Sequence, residues 1–159
     1  MRKYGEAAIL ATRLVTQGRA ATPQEAWQAA TAELFPNSPA CQEKGCPKGA
    51  FLGLCQVGLV RGIRPGDYTK SKENSGYAIK AVKLLENNPS LLNDEKSLWA
   101  QVVNGADKAP NSQMEVVLSL WTEGLINLET EAIEDERQQQ AVLRYSMKQA
   151  SKVARENPY

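Results

Sequence analysis

The chain has 159 residues, of which 42% are apolar and 23% are charged, and its formal net charge is +1. These values are ordinary for one globular domain and give no global reason to expect binding to nucleic acid or to a membrane. The chain contains no histidine, which excludes Ser-His-Asp and Cys-His catalysis and histidine-ligated metals. No apolar run approaches the ~20 residues that a membrane-spanning helix needs. We therefore expect a protein without a membrane partner.

The beginning of the chain does not have the pattern of a signal peptide. Arg13 interrupts the apolar stretch that a secretory signal requires. The three cysteines are an odd number and do not form a disulfide framework. Both observations indicate a cytoplasmic protein.

Two helices are predicted before residue 36. Apolar residues recur at helical spacing over residues 4–17, and Gly18 ends this pattern. Thr22 and Glu25 form a capping box, in which each side chain satisfies a backbone N–H at the start of the second helix. We expect that helix to end near Phe35.

The third predicted helix, over residues 46–57, is the most informative stretch of the chain. Cys46 is placed at the N-cap and Pro47 at the first helical position, and Gly58 follows as the left-handed residue of a Schellman ending. Gly49 and Gly53 each lower helix propensity by roughly 1 kcal/mol. We expect a neighbouring backbone to approach them closely, so the helix is predicted to be central and buried.

The same pattern then restarts. A helix is predicted over residues 75–87, followed by a helix that Asn93 or Asp94 caps and a third helix that a capping box at residues 112–115 begins. Offsets of 70, 72 and 66 residues align the three helices of the two halves. Matched positions include Ala8 with Ala78, Thr22 with Asp94, Trp27 with Trp99, Cys46 with Ser112, and Gly58-Leu59-Val60 with Gly124-Leu125-Ile126.

This alignment predicts an all-α fold in which two tandem three-helix repeats pack into one domain, with one further helix at the C-terminus. The duplicated domain occupies residues 1–127, with repeats at about 4–63 and 74–126. Residues 128–159 are acidic at first and basic at the end, which favours one long charged helix because this polarity complements the helix dipole. That helix is expected to dock on the domain or on a twin chain.

Three runs carry a resemblance to a known family: Cys46–Cys55, Phe35-Pro36-Asn37-Ser38-Pro39 and Asn111-Ser112-Gln113-Met114. Over residues 4–127 the chain resembles a family of uncharacterised bacterial proteins, and the tail lies outside the match. The resemblance implies bacterial origin and assigns no activity.

Cys46 is the candidate for a reactive or redox-sensing thiol. A helix N-terminus and the flanking Lys44 and Lys48 favour the thiolate. The alternative is a simple helix cap, because no base stands beside Cys46 in the sequence. A zinc site is not expected, since the three thiols Cys41, Cys46 and Cys55 cannot complete a set of four ligands. We predict neither a metal nor another cofactor.

Nucleic acid is a second candidate partner. Arg61, Arg64, Lys70 and Lys72 form a basic connector after the first repeat, where the wing of a helix-turn-helix relative would lie. However, the third helices lack base-reading side chains. The leading hypothesis is therefore a non-catalytic module that binds another protein or a second copy of itself. The alternatives are a nucleic-acid-associated regulator and a small enzyme that uses Cys46 or carboxylates.

Overall fold

A computed structural model describes residues 2–129. Residues 2–127 belong to one compact unit, Met1–Asn127, and residues 128 and 129 do not. These residues are predominantly helical, as predicted, and contain no extended strand. The helices are α1 (Lys3–Thr16), α2 (Pro23–Leu34), α3 (Pro39–Glu43), α4 (Gly45–Gln56), α5 (Lys72–Asn87), α6 (Glu95–Val102) and α7 (Gln113–Thr122), with a 3-10 turn at Pro89–Asn93. Beyond Glu129, the predicted C-terminal helix lies outside the described residues.

Two predicted helix starts are confirmed by their hydrogen bonds. The Thr22 hydroxyl accepts from the backbone N–H of Glu25 at 3.2 Å, and the Glu25 carboxylate accepts in return from the N–H of Ala21 at 3.3 Å. The carboxylate of Asp94 accepts from the N–H of Ser97 at 3.1 Å at the start of α6. These local bonds satisfy N–H groups that have no partner inside the helix.

The predicted helix ends are also confirmed. Gly18, Gly58 and Gly124 all have left-handed backbones, with φ of 71°, 78° and 72°. In each case the next residue donates its N–H to the carbonyl five positions back, as in a Schellman motif. These bonds are Arg19 to Leu14 at 2.8 Å, Leu59 to Leu54 at 2.9 Å and Leu125 to Leu120 at 2.9 Å.

Three details of the predicted helix starts are wrong. Helix α5 begins at Lys72, three residues before the predicted start at residue 75. Helix α4 begins at Gly45 with Lys44 at the N-cap, so Cys46 lies inside the first turn rather than at the cap. Ser112 has a left-handed backbone with φ of 72°, and its side chain forms no capping bond. The predicted capping box is therefore absent, and the Gln113 side-chain carbonyl accepts the N–H of Asn111 just before the helix at 2.6 Å.

Each half of the domain packs helices against the other half. Helix α1 packs against α2 and against α7 of the other half, while α5 packs against α6 and against α4. Helices α4 and α7 contact each other at the centre. The core between them includes Trp27, whose ring stacks on Phe51 with a centroid distance of 5.3 Å. Neither half therefore encloses its apolar faces alone.

An isolated antiparallel β-bridge joins the ends of the two halves. It pairs Val60 with Ile126, residues that the predicted repeat alignment treats as equivalent. The N–H of Arg61 donates to the carbonyl of Leu125, and the N–H of Asn127 donates to that of Leu59, both at 2.8 Å. A duplication would produce such a pairing about a two-fold axis; the repeat itself stays a prediction.

Candidate functional site

An open cleft of about 450 Å³ lies at the first turn of α4. We call it the basic cleft. Its lining contains three lysines and no acidic residue among the positions that the structure describes: Lys44, Gly45, Cys46, Lys48, Gly49, Thr69, Lys70, Ser71, Asn74 and Asn111. The cleft therefore brings the predicted thiol candidate and its two lysines together with Lys70 from the predicted basic connector.

Hydrogen bonds hold the connector, residues 61–72, at the end of α4. The chain then runs back along this helix to the cleft. The side-chain carbonyl of Gln56 accepts the backbone N–H groups of Tyr68 at 2.9 Å and Thr69 at 3.0 Å. The Gln56 backbone carbonyl also accepts the N–H of Gly66 at 3.2 Å. These bonds position the following residues, including Lys70, beside the first turn of α4.

The start of α5 closes one side of the cleft by approaching α4 closely. A Cβ atom added at Gly49 would lie 2.9 Å from the Asn74 Cβ and from the Ser71 hydroxyl. One turn further, a Cβ at Gly53 would lie 2.6 Å from the Cα of Ser75. The expectation that the α4 glycines accommodate a neighbouring backbone is confirmed at Gly53 by this contact.

A polar network behind the cleft was missed by the sequence analysis. Buried Gln113 donates its amide to the Asn74 side-chain carbonyl at 3.2 Å and accepts the N–H of Asn111 at 2.6 Å. Asn111 in turn donates its side-chain amide to the Cys46 sulfur at 3.5 Å. The available signal was that Cys46 and Asn111 each lie in a run that carries the family resemblance.

The three cysteines have different environments, and none forms a disulfide. Cys46 is half-buried in the cleft, and Cys41 is half-buried in α3. Cys55 is fully buried, and burial raises the pKa of its thiol well above the ordinary value. Lys44 lies over the ring of Tyr4, 5.3 Å from the centroid, which holds its ammonium group at the edge of the cleft.

The predicted nucleic-acid set is only partly assembled. Arg61, Arg64, Lys70 and Lys72 are all exposed, but Lys70 is the member that lines the cleft. Helix α4 is buried continuously from Gly49 to Cys55. A helix enclosed in this way has no face to place in a DNA groove, which removes the main support for a helix-turn-helix unit.

The described residues thus define a small all-α domain with a lysine-lined surface cleft. The chain belongs to DUF6979, a family of unknown function whose model matches residues 1–127. The resemblance to an uncharacterised family is confirmed by this match, and the tail lies outside it as expected. No curated protein and no solved structure matches the chain.

Within the described part of the chain, two further searches give negative findings. No helix there has the length and apolar character needed to cross a membrane. No group of three or more Cys, Asp or Glu side chains between residues 2 and 129 is arranged to hold a metal ion. Chemically, the basic cleft offers ammonium groups and amides, which suit carboxylate or phosphate groups.

Proposed function

We propose that this protein is a non-catalytic interaction module whose basic cleft binds an acidic segment of a protein partner. The observation that carries the proposal is the meeting of Lys44, Lys48 and Lys70 in one open cleft whose described lining contains no carboxylate. Two of these lysines come from the start of α4 and the third comes from the connector, so the folded domain assembles the cleft. A cluster of unneutralised cations attracts anionic groups and accelerates their association.

A binding role suits the cleft better than catalysis. The neighbour that the described structure gives to the Cys46 sulfur is the Asn111 amide, which is a donor and cannot remove a proton from a thiol. A nucleophilic cysteine requires a base or another activating group beside it. The small-enzyme alternative therefore gains no support at Cys46.

The cellular setting is part of the same proposal. We infer a bacterial cytoplasmic protein, as the family resemblance suggests. The three free thiols fit a reducing compartment. The partner is another protein or a second copy of this chain.

The test compares two labelled probes by fluorescence anisotropy: a peptide of alternating glutamate and alanine, and a single-stranded oligonucleotide of similar charge. The test variant replaces Lys44, Lys48 and Lys70 with Gln. The control replaces three exposed cations elsewhere, Arg19, Lys80 and Lys96, with Gln, so both variants have the same net charge.

We expect the wild type and the control to bind the peptide and the cleft variant to bind it about tenfold more weakly, since each exposed ion pair contributes ~0.5 kcal/mol. Equal weakening in both variants would show a non-specific charge effect and would contradict the proposal. Preference for the oligonucleotide, lost in the cleft variant, would support the nucleic-acid alternative instead. Light scattering of the full chain then distinguishes a second copy from another protein as the partner.

A further inference from the structure

A second cavity shares no lining residue with the basic cleft. It has a volume of about 770 Å³ and opens between the start of α1, helix α6 and the start of α7. Much of its wall is apolar and is formed by Trp99, Ala100, Val103, Ala106 and Pro110. A concave, mostly apolar space of this size matches sites that hold small molecules.

The Trp99 ring in the wall of the cavity is held in position, with 7% of the residue exposed. The indole N–H of Trp99 donates to the carbonyl of Lys108 at 2.8 Å, which attaches α6 to the loop before α7. The Trp99 ring also makes an edge contact with the ring of Tyr77, with a centroid distance of 5.2 Å. Because these two contacts hold the ring, its position does not depend on a ligand.

Charged groups around the cavity are largely neutralised within the protein. The Arg2 guanidinium pairs with the Glu95 carboxylate at 2.7 Å. The Lys108 ammonium pairs with Glu73 and lies 5.7 Å from the centroid of the Tyr77 ring. These pairs leave Lys96 as an exposed cation at the edge.

Glu115 is the exception. Its side chain lines the cavity and is half-buried, and no group among residues 2–129 donates a hydrogen bond to its carboxyl. Burial raises the pKa of this carboxyl and the nearby Glu95 carboxylate adds to the rise, while the Arg2 and Lys44 side chains oppose it. A partly desolvated carboxylate without a donor gains more from a hydrogen-bonding cation than an exposed one does.

We propose that this cavity binds an organic ammonium ion with an apolar body. The ammonium group donates to the Glu115 carboxylate, and the apolar body packs against Trp99. The lining also contains the cations Arg2, Lys96 and Lys108, but Arg2 is paired with Glu95 and Lys108 with Glu73. An anionic group placed beside Glu115 would be repelled by a carboxylate that receives no hydrogen bond from residues 2–129. This site shares no lining residue with the basic cleft and does not depend on the function proposed for that cleft.

The test uses three probes of one shape, phenethylammonium, phenethyl alcohol and phenylacetate, at millimolar concentrations. Binding is followed by the indole N–H resonances in nitrogen-15 NMR spectra of the full chain, with Trp99 assigned from a Trp99→Phe variant. We expect saturable movement of the Trp99 resonance with the ammonium probe and little movement of Trp27, which is buried in the core. The alcohol and the anion should bind about tenfold more weakly or not at all.

Glu115→Gln should weaken ammonium binding about tenfold, since it removes the charge and keeps the shape. Glu33→Gln, an exposed change of the same kind on α2, should leave binding unchanged. Ala100→Trp should block the cavity and abolish binding, which keeps the proposal testable if Glu115→Gln perturbs folding. An unmoved Trp99 resonance, equal binding by Glu115→Gln, or equal or tighter binding of the alcohol or the anion would overturn it.

Discussion

Two helix crossings join the halves of this domain, and each places a glycine against a serine. Gly5 of α1 faces Ser119 of α7, and Gly53 of α4 faces Ser75 of α5. The predicted offsets of 70 and 66 residues relate Gly5 to Ser75 and Gly53 to Ser119. The same Gly–Ser contact is thus made twice, and the predicted alignment matches the glycine of each crossing with the serine of the other. At each crossing the glycine, which has no side chain, leaves room for the serine.

The two crossings differ in what a side chain at the glycine would meet. A Cβ at Gly53 would lie 2.6 Å from the Ser75 Cα, whereas a Cβ at Gly5 would meet the Ser119 side chain and approach backbone only at the Glu115 carbonyl, 3.2 Å away. The closer crossing has a second glycine, Gly49, beside the shallow basic cleft. At the corresponding position the other crossing has Glu115, which lines the larger cavity. The closer crossing, α4 with α5, therefore lies beside the smaller opening, which is the basic cleft.

The largest expected difference between the halves concerns Cys55, whose counterpart in the predicted alignment is the half-exposed Trp121. Cys55 is fully buried and its raised pKa disfavours the thiolate. Alkylation of the native protein near neutral pH should therefore label Cys46 first, Cys41 second and Cys55 last. Cys55 should react about a thousandfold more slowly than Cys46, because its labelling requires opening of the core by ~4 kcal/mol.

Peptide mass spectrometry against time gives the three labelling rates, and the denatured protein provides the control in which all three thiols are accessible. Labelling of Cys55 ahead of Cys46 would show that the centre of α4 opens more readily than its first turn. The redox hypothesis for Cys46 would then lose its basis.

The next largest effect is expected at the closer crossing. Gly53→Ala should lower the free energy of unfolding by ~2–3 kcal/mol, because overpacking outweighs the gain in helix propensity. Adding Ser75→Gly should not restore stability, since the Ser75 Cα remains 2.6 Å from the new Cβ. Urea denaturation measures both changes. Gly76→Ala is the matched control: no atom lies within 4 Å of its added Cβ, so it should stabilise α5 by ~0.5–1 kcal/mol.

The other crossing should respond differently to the same exchange. Gly5→Ala should cost ~1–2 kcal/mol, because the new Cβ would lie 2.7 Å from the Ser119 Cβ. In a Ser119→Gly background that contact is gone, and Gly5→Ala should become neutral or stabilising. A double-mutant cycle in urea gives the coupling energy. Equal rescue at both crossings, or rescue at neither, would contradict the difference in packing between the two crossings.

The smallest effect is expected from the ion pairs that connect α1 to the second half. Arg2 pairs with Glu95 at 2.7 Å and Arg13 pairs with Glu123 at 3.2 Å, and all four side chains are well exposed to solvent. Each pair should contribute ~0.5 kcal/mol in a double-mutant cycle and less at high salt. A coupling above 2 kcal/mol for Arg2 and Glu95 would indicate that this pair helps to hold the large cavity open.

Several features of the fold could be predicted because they depend on neighbouring residues alone. A left-handed glycine ends a helix through bonds to the preceding turn, so the ends at Gly18, Gly58 and Gly124 are visible in the sequence. The caps at Thr22 and Asp94 are local in the same way. The cap at Ser112 was predicted wrongly because Ser112 has a left-handed backbone, whereas a capping side chain usually stands on an extended one.

The candidate site could be predicted only in pieces. Lys44, Cys46 and Lys48 are adjacent in sequence, and their position at the start of a helix was clear from the glycine and proline around them. That Lys70 joins them depends on the bonds from the connector to Gln56 at the far end of α4. That Asn111 touches Cys46 depends on contact between the two halves.

By itself, the sequence determined the all-α class and six of the seven α-helices of the described residues, because helical periodicity and capping act over four or five residues. The short helix α3 was not predicted. Only the tertiary structure decided which helices pack across the two halves, that Val60 pairs with Ile126, and which polar groups line one cleft. The cavity at Glu115 belongs to this second group, since it is formed by segments from both ends of the domain. Contacts of that kind depend on how closely two helices approach, and glycine and serine at their crossing set this distance.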